Sequence, residues 1–423
     1  MSTILRNCRL GPTKELVSIL IEKGEIIEVR SAFSTEELQG RTVVECDGYV
    51  AAPGFIDLHV HLREPGLEYK EDVKSGTMAA AKGGFTTIFS MPNTRPVMDD
   101  IQKLESYKMT LKSQSCIKVM PVAAITKGLK GETLTDMEGL SEVGAKAFSD
   151  DGRPVYDDGI FRKAMICAIE RDLLILDHCE DLELAHGGAV NEGEASVRLG
   201  IKGINNNSEA LPIGRDVRIA EELGGRVHIC HVSTAESVEI IRAAKKRGVR
   251  VTCEAGPHHF GLNDSIITEG FTDCKVNPPL RSEADRVAVL QGIVDGTVDV
   301  IATDHAPHHK TEKGTDFYKA AFGISGIETA FSVSYSELVE KGHLTFEKLV
   351  ELMSLKPAEI AGLKAGRLEP GYPADIVLLD LEKEITVDKE KFLSKGHNTP
   401  FHGRTYRGEV VLTMVDGRVA YKR

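Results

Sequence analysis

The sequence has no tryptophan, no Cys-x-x-Cys pair, no low-complexity tract and no apolar run of membrane-spanning length. Each absence removes a class of protein. Without paired thiols, a thiolate zinc site gets little support. The eight cysteines are scattered as Cys8, Cys46, Cys116, Cys167, Cys179, Cys230, Cys253 and Cys274. Several fall inside apolar strand-like runs, as reduced core thiols of a cytoplasmic protein would. Without about 20 consecutive apolar residues no segment spans a bilayer, and Met1–Cys8 lacks the apolar core of a signal peptide. The expected location is therefore the cytoplasm. A basic stripe is also missing: 52 Lys and Arg stand against 64 Asp and Glu, a net charge of −12 with both signs interspersed. That argues against a nucleic-acid footprint. An anionic substrate would have to be held by local cations rather than by a positive field. Heptads and helical repeats are absent too.

What the 423 residues do contain, from Pro53 onward, is an alternation of short apolar runs with amphipathic helical stretches. The runs are Gly54–His61, Gly84–Asn93, Cys116–Ile125, Gly144–Asp151, Leu173–His178, Arg226–His231, Arg250–Ala255 and Val298–His305. Helix-like segments such as Lys70–Lys82, Gly159–Arg171, Asp216–Leu223, Ala235–Arg247 and Ser282–Asp295 separate them. About eight strand–helix units over about 250 residues predict a (β/α)8 TIM-type barrel. A doubly wound sheet would gather its ligand residues at one switch point instead. The flanks read as short strands with turns at Lys23-Gly24, Asp47-Gly48 and Asp416-Gly417. Each flank is too small to fold alone, so the two are expected to pair into a small β-sandwich. The expected division is 1–52 and 366–423 for the halves of the sandwich and 53–365 for the barrel.

The chemistry sits where these runs end. His59 and His61 close the first run, and their i, i+2 spacing on a strand sends both side chains to one face. Asp150 and Asp151 follow the fourth run, His178 ends the fifth, His231 the sixth and Asp304 the eighth. A lone histidine is usually a packed core or surface residue. Metal-type side chains at the C-terminal ends of five strands of one barrel are not explained that way. Imidazole with carboxylate and no thiolate suits Zn2+ over Mg2+ or Ca2+, with Mn, Co or Fe as alternatives. There are ligands for one or two ions: His59, His61 and Asp304 on one, His178 and His231 on the other, with a bridging carboxylate. A water between two such ions becomes a nucleophile near neutral pH. Asp304 is then placed as the catalytic base that takes its proton and passes it to a leaving nitrogen.

Four motifs make the sequence recognisable. His59–Gly66 (His-Val-His-Leu-Arg-Glu-Pro-Gly), Met91–Pro96 (Met-Pro-Asn-Thr-Arg-Pro), Val276–Arg281 (Val-Asn-Pro-Pro-Leu-Arg) and Thr303–His308 (Thr-Asp-His-Ala-Pro-His) resemble the dihydroorotases of the amidohydrolase superfamily. The match is to the bacterial class with a bridging aspartate, and it runs from about Pro53 to Asp380. The resemblance implies a reversible hydrolysis of the cyclic amide of dihydroorotate, formed in reverse from N-carbamoyl-L-aspartate, in pyrimidine biosynthesis. It implies that the substrate carboxylate is held by Arg63, Asn93 and His308, with further substrate contacts at His61, Asn277, Phe322 and Gly323. A planar guanidinium fork suits a carboxylate. His258, His259 and His309 read as loop or supporting residues. A homodimer, or assembly with another pyrimidine enzyme, is the expected association, with neither membrane nor nucleic acid as partner.

Two positions blur the pattern. Lys146 falls where other superfamily members bridge their metals with a carboxylated lysine, whereas the bridging-aspartate class has its carboxylate at the Asp150-Asp151-Gly152 turn. The resemblance favours Asp151. Ala321 stands before Phe322-Gly323 where a proline is expected, which puts that loop's rigidity in question. Two competing readings remain. Hydantoinases and allantoinases share barrel and metal centre but need no carboxylate clamp beside His-x-His, so Arg63 with Asn93 counts against them. An inactive scaffold barrel is opposed by the presence of every expected ligand type.

Overall fold

The computed structural model describes residues 2–423. Eight parallel strands follow one another round a ring: Phe55–Val60, Phe85–Ser90, Lys118–Ala123, Ala147–Phe148, Leu174–Asp177, Arg226–Ile229, Arg250–Ala255 and Val300–Ile301. All eight coincide with the apolar runs. The ring closes where Val60 bridges His305 and the His61 N–H donates to the His305 carbonyl at 2.9 Å. A buried carboxylate strengthens the same seam. Asp57 accepts from the backbone of His59 (3.0 Å) and from the backbone and hydroxyl of Thr303 (3.1 and 2.6 Å), joining first strand to last. Apolar side chains from around the ring (Ile56, Leu58, Phe89, Val122, Leu174, Val300) share one cluster, so the barrel is packed rather than hollow.

The helices outside the ring begin at residues suited to cap them. Asp72, Asp100, Asp157, Thr234 and Ser282 each accept from a backbone N–H in the first turn of Val73–Lys82, Ile101–Gln114, Asp158–Arg171, Ala235–Lys246 and Glu283–Val294. Their apolar faces (Ala80, Leu104, Met165, Ile241, Ile293) pack on the outward side chains of the strands in one continuous core. Among these, Ile101–Gln114 has no counterpart in the sequence reading.

One helix is longer than its sequence pattern. The expected Asp216–Leu223 is the second half of Asn207–Leu223, which runs straight through Pro212. Proline lacks the N–H that would bond the Ser208 carbonyl four residues back. That carbonyl instead accepts from the Asp181 N–H at 2.6 Å, so the freed acceptor ties the helix to the loop after His178.

Strands from both chain ends join one eight-stranded sheet beside the barrel. Val50–Pro53 pairs antiparallel with Ile376–Thr386, which pairs with Thr405–Val415, while Ser2–Arg9 holds Leu16–Glu22 and Thr42–Glu45. Leu5, Ile19 and Ile26 share a core with Ile376, Leu378 and Met414, so neither end is apolar-complete without the other. Among the described residues no helix is long and apolar enough to cross a membrane.

Candidate metal centre and substrate pocket

The ends of five barrel strands deliver four imidazoles and two carboxylates to one point. His59 Nε2 lies 3.2 Å from Asp151 Oδ1 and 3.5 Å from Asp304 Oδ1. His61 Nε2 lies 3.5 Å from Asp151 Oδ2 and 3.1 Å from Asp304 Oδ1. On the other side, His178 Nδ1 is 3.5 Å and His231 Nε2 4.0 Å from Asp151 Oδ1, and these two ring nitrogens are 2.9 Å apart. Asp151 therefore belongs to two ligand trios at once, His59–His61–Asp151 and Asp151–His178–His231. All six side chains are buried.

This donor set fits divalent ions. At about 2 Å per bond, two ligands of a tetrahedral ion lie about 3.3 Å apart, which is the spacing seen here. Among the described residues His59 Nε2 is buried without a hydrogen-bond partner of good geometry, a cost that a metal would remove. Burial opposes charge on Asp151, but His59, His61 and His178 around it outweigh burial and hold its carboxyl well below the usual range. Burial, with His178 and His59 nearby, drives His231 well below an ordinary histidine, so its ring is a neutral donor. Two buried cysteines flank the centre without joining either trio: Cys230 groups with His59 and Glu254, its thiol raised by burial, and Cys179 Sγ turns to Asp177 (3.1 Å) and Asp216 (3.2 Å).

The two bridging candidates are at opposite ends of their strand. Lys146 is exposed and precedes Ala147–Phe148, whereas Asp151 follows it inside the imidazole cluster. Asp150, beside it, accepts from the backbone and hydroxyl of Thr126 and holds the turn. Burial raises its carboxyl to about 6.

Supporting carboxylates set the ring orientations. His59 Nδ1 meets Glu254 Oε1 at 3.0 Å, and Glu254 Oε2 meets His228 Nε2 at 3.1 Å. Burial alone would raise Glu254, but bonds from His228 and His59 lower it to about 2. His178 Nε2 meets Glu180 at 3.3 Å, and the Asn277 amide donates to the same carboxylate oxygen at 3.0 Å. The sequence reading missed Asp57, Glu254 and Glu180. Its usable signal was an acid within three residues of a strand end. Three site residues, Arg63 (φ 61°), His231 (φ 34°) and Asp304 (φ 46°), occupy the left-handed region that side chains avoid, the strain typical of a functional site.

A pocket of about 200 Å3 opens on the cluster, lined among others by His61, Arg63, Asn93, Asn277, Asp304 and Gly323. It is smaller than the roughly 300–1,000 Å3 of drug-sized sites and suits a single small ring. Arg63 is buried (9% exposed), donates from Nε to the Pro307 carbonyl at 3.2 Å, and has no carboxylate within 4 Å among the described residues. His308 sits behind it, with Nε2 3.2 Å from Arg63 Nη2 and 2.9 Å from the Phe322 carbonyl. Asn93 is in the pocket and bonded at both ends of its amide: Oδ1 accepts from His61 Nδ1 (2.9 Å) and Nδ2 donates to Asp151 Oδ2 (3.0 Å). It links a histidine to the shared carboxylate. Gly66 (φ +91°) locks the Arg63 loop down, since a Cβ there would lie 1.9 Å from the Arg95 carbonyl. His258, His259 and His309 stand outside both ligand trios; His259 bonds the Pro278 carbonyl at 3.1 Å.

Known proteins resemble this chain along nearly its whole length. The Dihydro-orotase-like family matches residues 48–237 and the amidohydrolase family residues 215–421. The dihydroorotase of Desulforapulum autotrophicum is 48% identical over 98% of this chain and 96% of its own length. This chain belongs to the dihydroorotase family. The dihydroorotase of Bacillus subtilis is 48% identical, covering 90% of this chain and 89% of its own. Among solved structures, the L-hydantoinase (dihydropyrimidinase) of Arthrobacter aurescens superposes with a TM-score of 0.88 at 26% identity, over 99% of this chain and 95% of that one. A D-hydantoinase follows at 0.86 and 24%, a likeness of fold alone. The fold is thus also that of solved hydantoinase structures at much lower identity.

Proposed function

We propose that this chain catalyses the reversible hydrolysis of the cyclic amide of dihydroorotate to N-carbamoyl-L-aspartate, a step of pyrimidine biosynthesis. His59, His61, Asp304, His178 and His231, with Asp151 shared between them, would hold one or two zinc ions. Metal bound there would supply Lewis acidity toward the amide carbonyl and activate water. The carrying observation is Arg63: a buried guanidinium with no carboxylate within 4 Å among the described residues, facing the same small pocket as the ligand cluster. A buried charge left unpaired is costly, and a substrate carboxylate removes that cost.

The chain's own residues then divide the work. Arg63 and the loop behind it fix the carboxylate, which points the ring amide at Asp304. In hydrolysis a C–O bond forms from water, the ring C–N bond breaks, and Asp304 carries the water proton to the departing nitrogen. In ring closure the same carboxylate takes a proton from the attacking nitrogen and returns it to the leaving oxygen. Asn93 keeps His61 in one tautomer by accepting from Nδ1. Asn93 thereby acts beside the metal ligands as well as in the pocket.

Turnover of dihydroorotate by the purified chain tests the reading. Activity should vanish on chelation and return with zinc; turnover indifferent to chelation would contradict it. Arg63→Lys should lower kcat/KM for dihydroorotate by about 2–4 kcal/mol, some 30- to 1,000-fold, because an ammonium cannot reproduce the fork. Unchanged kcat/KM in that variant would remove Arg63 from the carboxylate site. Glu254→Gln should leave the fold intact by circular dichroism but weaken metal affinity about 10- to 100-fold in a competition titration. Unaltered affinity would make Glu254 a packing residue only.

A further inference from the structure

The loop 306–323 carries His308, Phe322 and Gly323, and it has Ala321 where a proline was expected. Two lysines hold its shape instead. Lys313 Nζ donates to the carbonyls of Lys275 (3.0 Å), Ala321 (2.9 Å) and Gly323 (3.1 Å). Lys275 Nζ donates to the carbonyls of Phe317 and Ala320, the latter at 2.6 Å, and lies 4.1 Å from the centre of the Phe322 ring. Backbone bonds finish the clasp: Gly323 N–H to the Lys275 carbonyl (2.9 Å) and Ala321 N–H to the Glu312 carbonyl (2.8 Å). Gly323 (φ +149°) crosses so close to Ala306 that a Cβ would lie 2.5 Å from its carbonyl oxygen.

Lys275 is 3% exposed and Lys313 half-buried, yet neither has a carboxylate within 4 Å among the described residues. That is an unusual way to station two ammonium groups, since buried charges are ordinarily paired. Burial pulls Lys275 down to about 8 and Lys313 to about 7, against weaker support from Asp316 and Asp273. An apolar side chain of the same length would avoid that cost but leave the carbonyls unpaired, so ammonium donors are what this loop requires.

We propose that Lys275 and Lys313 are positioning residues that make the loop selective for an anionic substrate. By drawing the carbonyls of Phe317, Ala320, Ala321 and Gly323 onto themselves, they keep the negative ends of those dipoles from a carboxylate bound at Arg63. Where protonated, they also place positive charge behind the pocket, with no carboxylate within 4 Å among the described residues to cancel it. A ring amide without a carboxylate gains nothing from either effect. The inference rests on the reading that this loop lies against the substrate carboxylate.

The test uses the metal-loaded enzyme with Lys313→Met and Lys275→Met, measuring dihydroorotate kinetics and hydrogen exchange of the loop. In the unliganded wild type the Ala321 and Gly323 amides should be protected. In Lys313→Met their exchange should quicken at least about tenfold, and KM for dihydroorotate should rise about 10- to 100-fold with kcat within about threefold. Unchanged exchange and KM in either folded variant would overturn the proposal. A fall in kcat alone would overturn it as well, because a positioning role predicts the KM effect. If neither variant folds, the wild-type arm decides: unprotected Ala321 and Gly323 amides overturn the clasp. Failure of the wild type to turn over dihydroorotate would sink the substrate reading separately, while the exchange arm still reports on the lysines.

Discussion

Asp151→Asn is expected to lose bound metal and turnover together, whether or not bicarbonate is present. Its carboxylate is within 3.2–4.0 Å of four imidazole nitrogens, and Oδ2 also accepts from the Asn93 amide at 3.0 Å. Asparagine either turns an N–H toward those rings or places two amide groups donor to donor at Asn93. It also removes the one negative charge shared by both ligand trios. Breaking a buried charge pair costs about 3–5 kcal/mol, two to four orders of magnitude in turnover. Lys146→Met is the matching control. Lys146 is exposed at the far end of the strand, so activity and metal content should stay within about twofold, as for other surface changes. A dead Lys146→Met with bicarbonate-dependent recovery of metal-stripped enzyme would reverse the assignment of the bridge.

His61→Ala should be as damaging by a different route. It removes one member of the first trio, leaves Asp304 Oδ1 without its contact at 3.1 Å, and strands the Asn93 oxygen that orients the ring. The His178–His231 pair is untouched, so metal analysis should show partial rather than complete loss. Turnover should fall by about three orders of magnitude, because the remaining ligands cannot hold both metal and Asp304 in register. Full metal content with near wild-type activity would remove His61 from the ligand set.

The strand ends were legible because barrel enzymes place their chemistry there, and His-x-His, Asp-Asp-Gly and Thr-Asp-His each stop an apolar run. The eight-strand count came through for the same reason: strands buried on both faces read as unbroken apolar runs. What the sequence hid depends on distant partners. Glu254 is an acid in a strand until its bond to His59, 195 residues away, gives it a role. Asp57 becomes a barrel seam only through Thr303, 246 residues on. The first half of Asn207–Leu223 was obscured by Pro212, whose disruption is absorbed by the Asp181 backbone. Lys275 and Lys313 carry no local signal because their partners are carbonyls, which every residue has. Asn93 was read as a pocket residue, and the bonds to His61 and Asp151 add a second task that motif spacing does not encode.

The central claim is that this barrel couples a shared-carboxylate metal centre to a clamp for a carboxylate-bearing ring amide. The most direct measurement is kcat/KM for dihydroorotate, dihydrouracil and hydantoin with one zinc-loaded preparation. Dihydrouracil is the same ring without the carboxylate, so the comparison isolates Arg63 and its loop. The account predicts that dihydroorotate is preferred by at least about a hundredfold, the yield of one buried charge-assisted contact. Equal or better turnover of dihydrouracil or hydantoin would contradict it and assign the pocket to neutral cyclic amides.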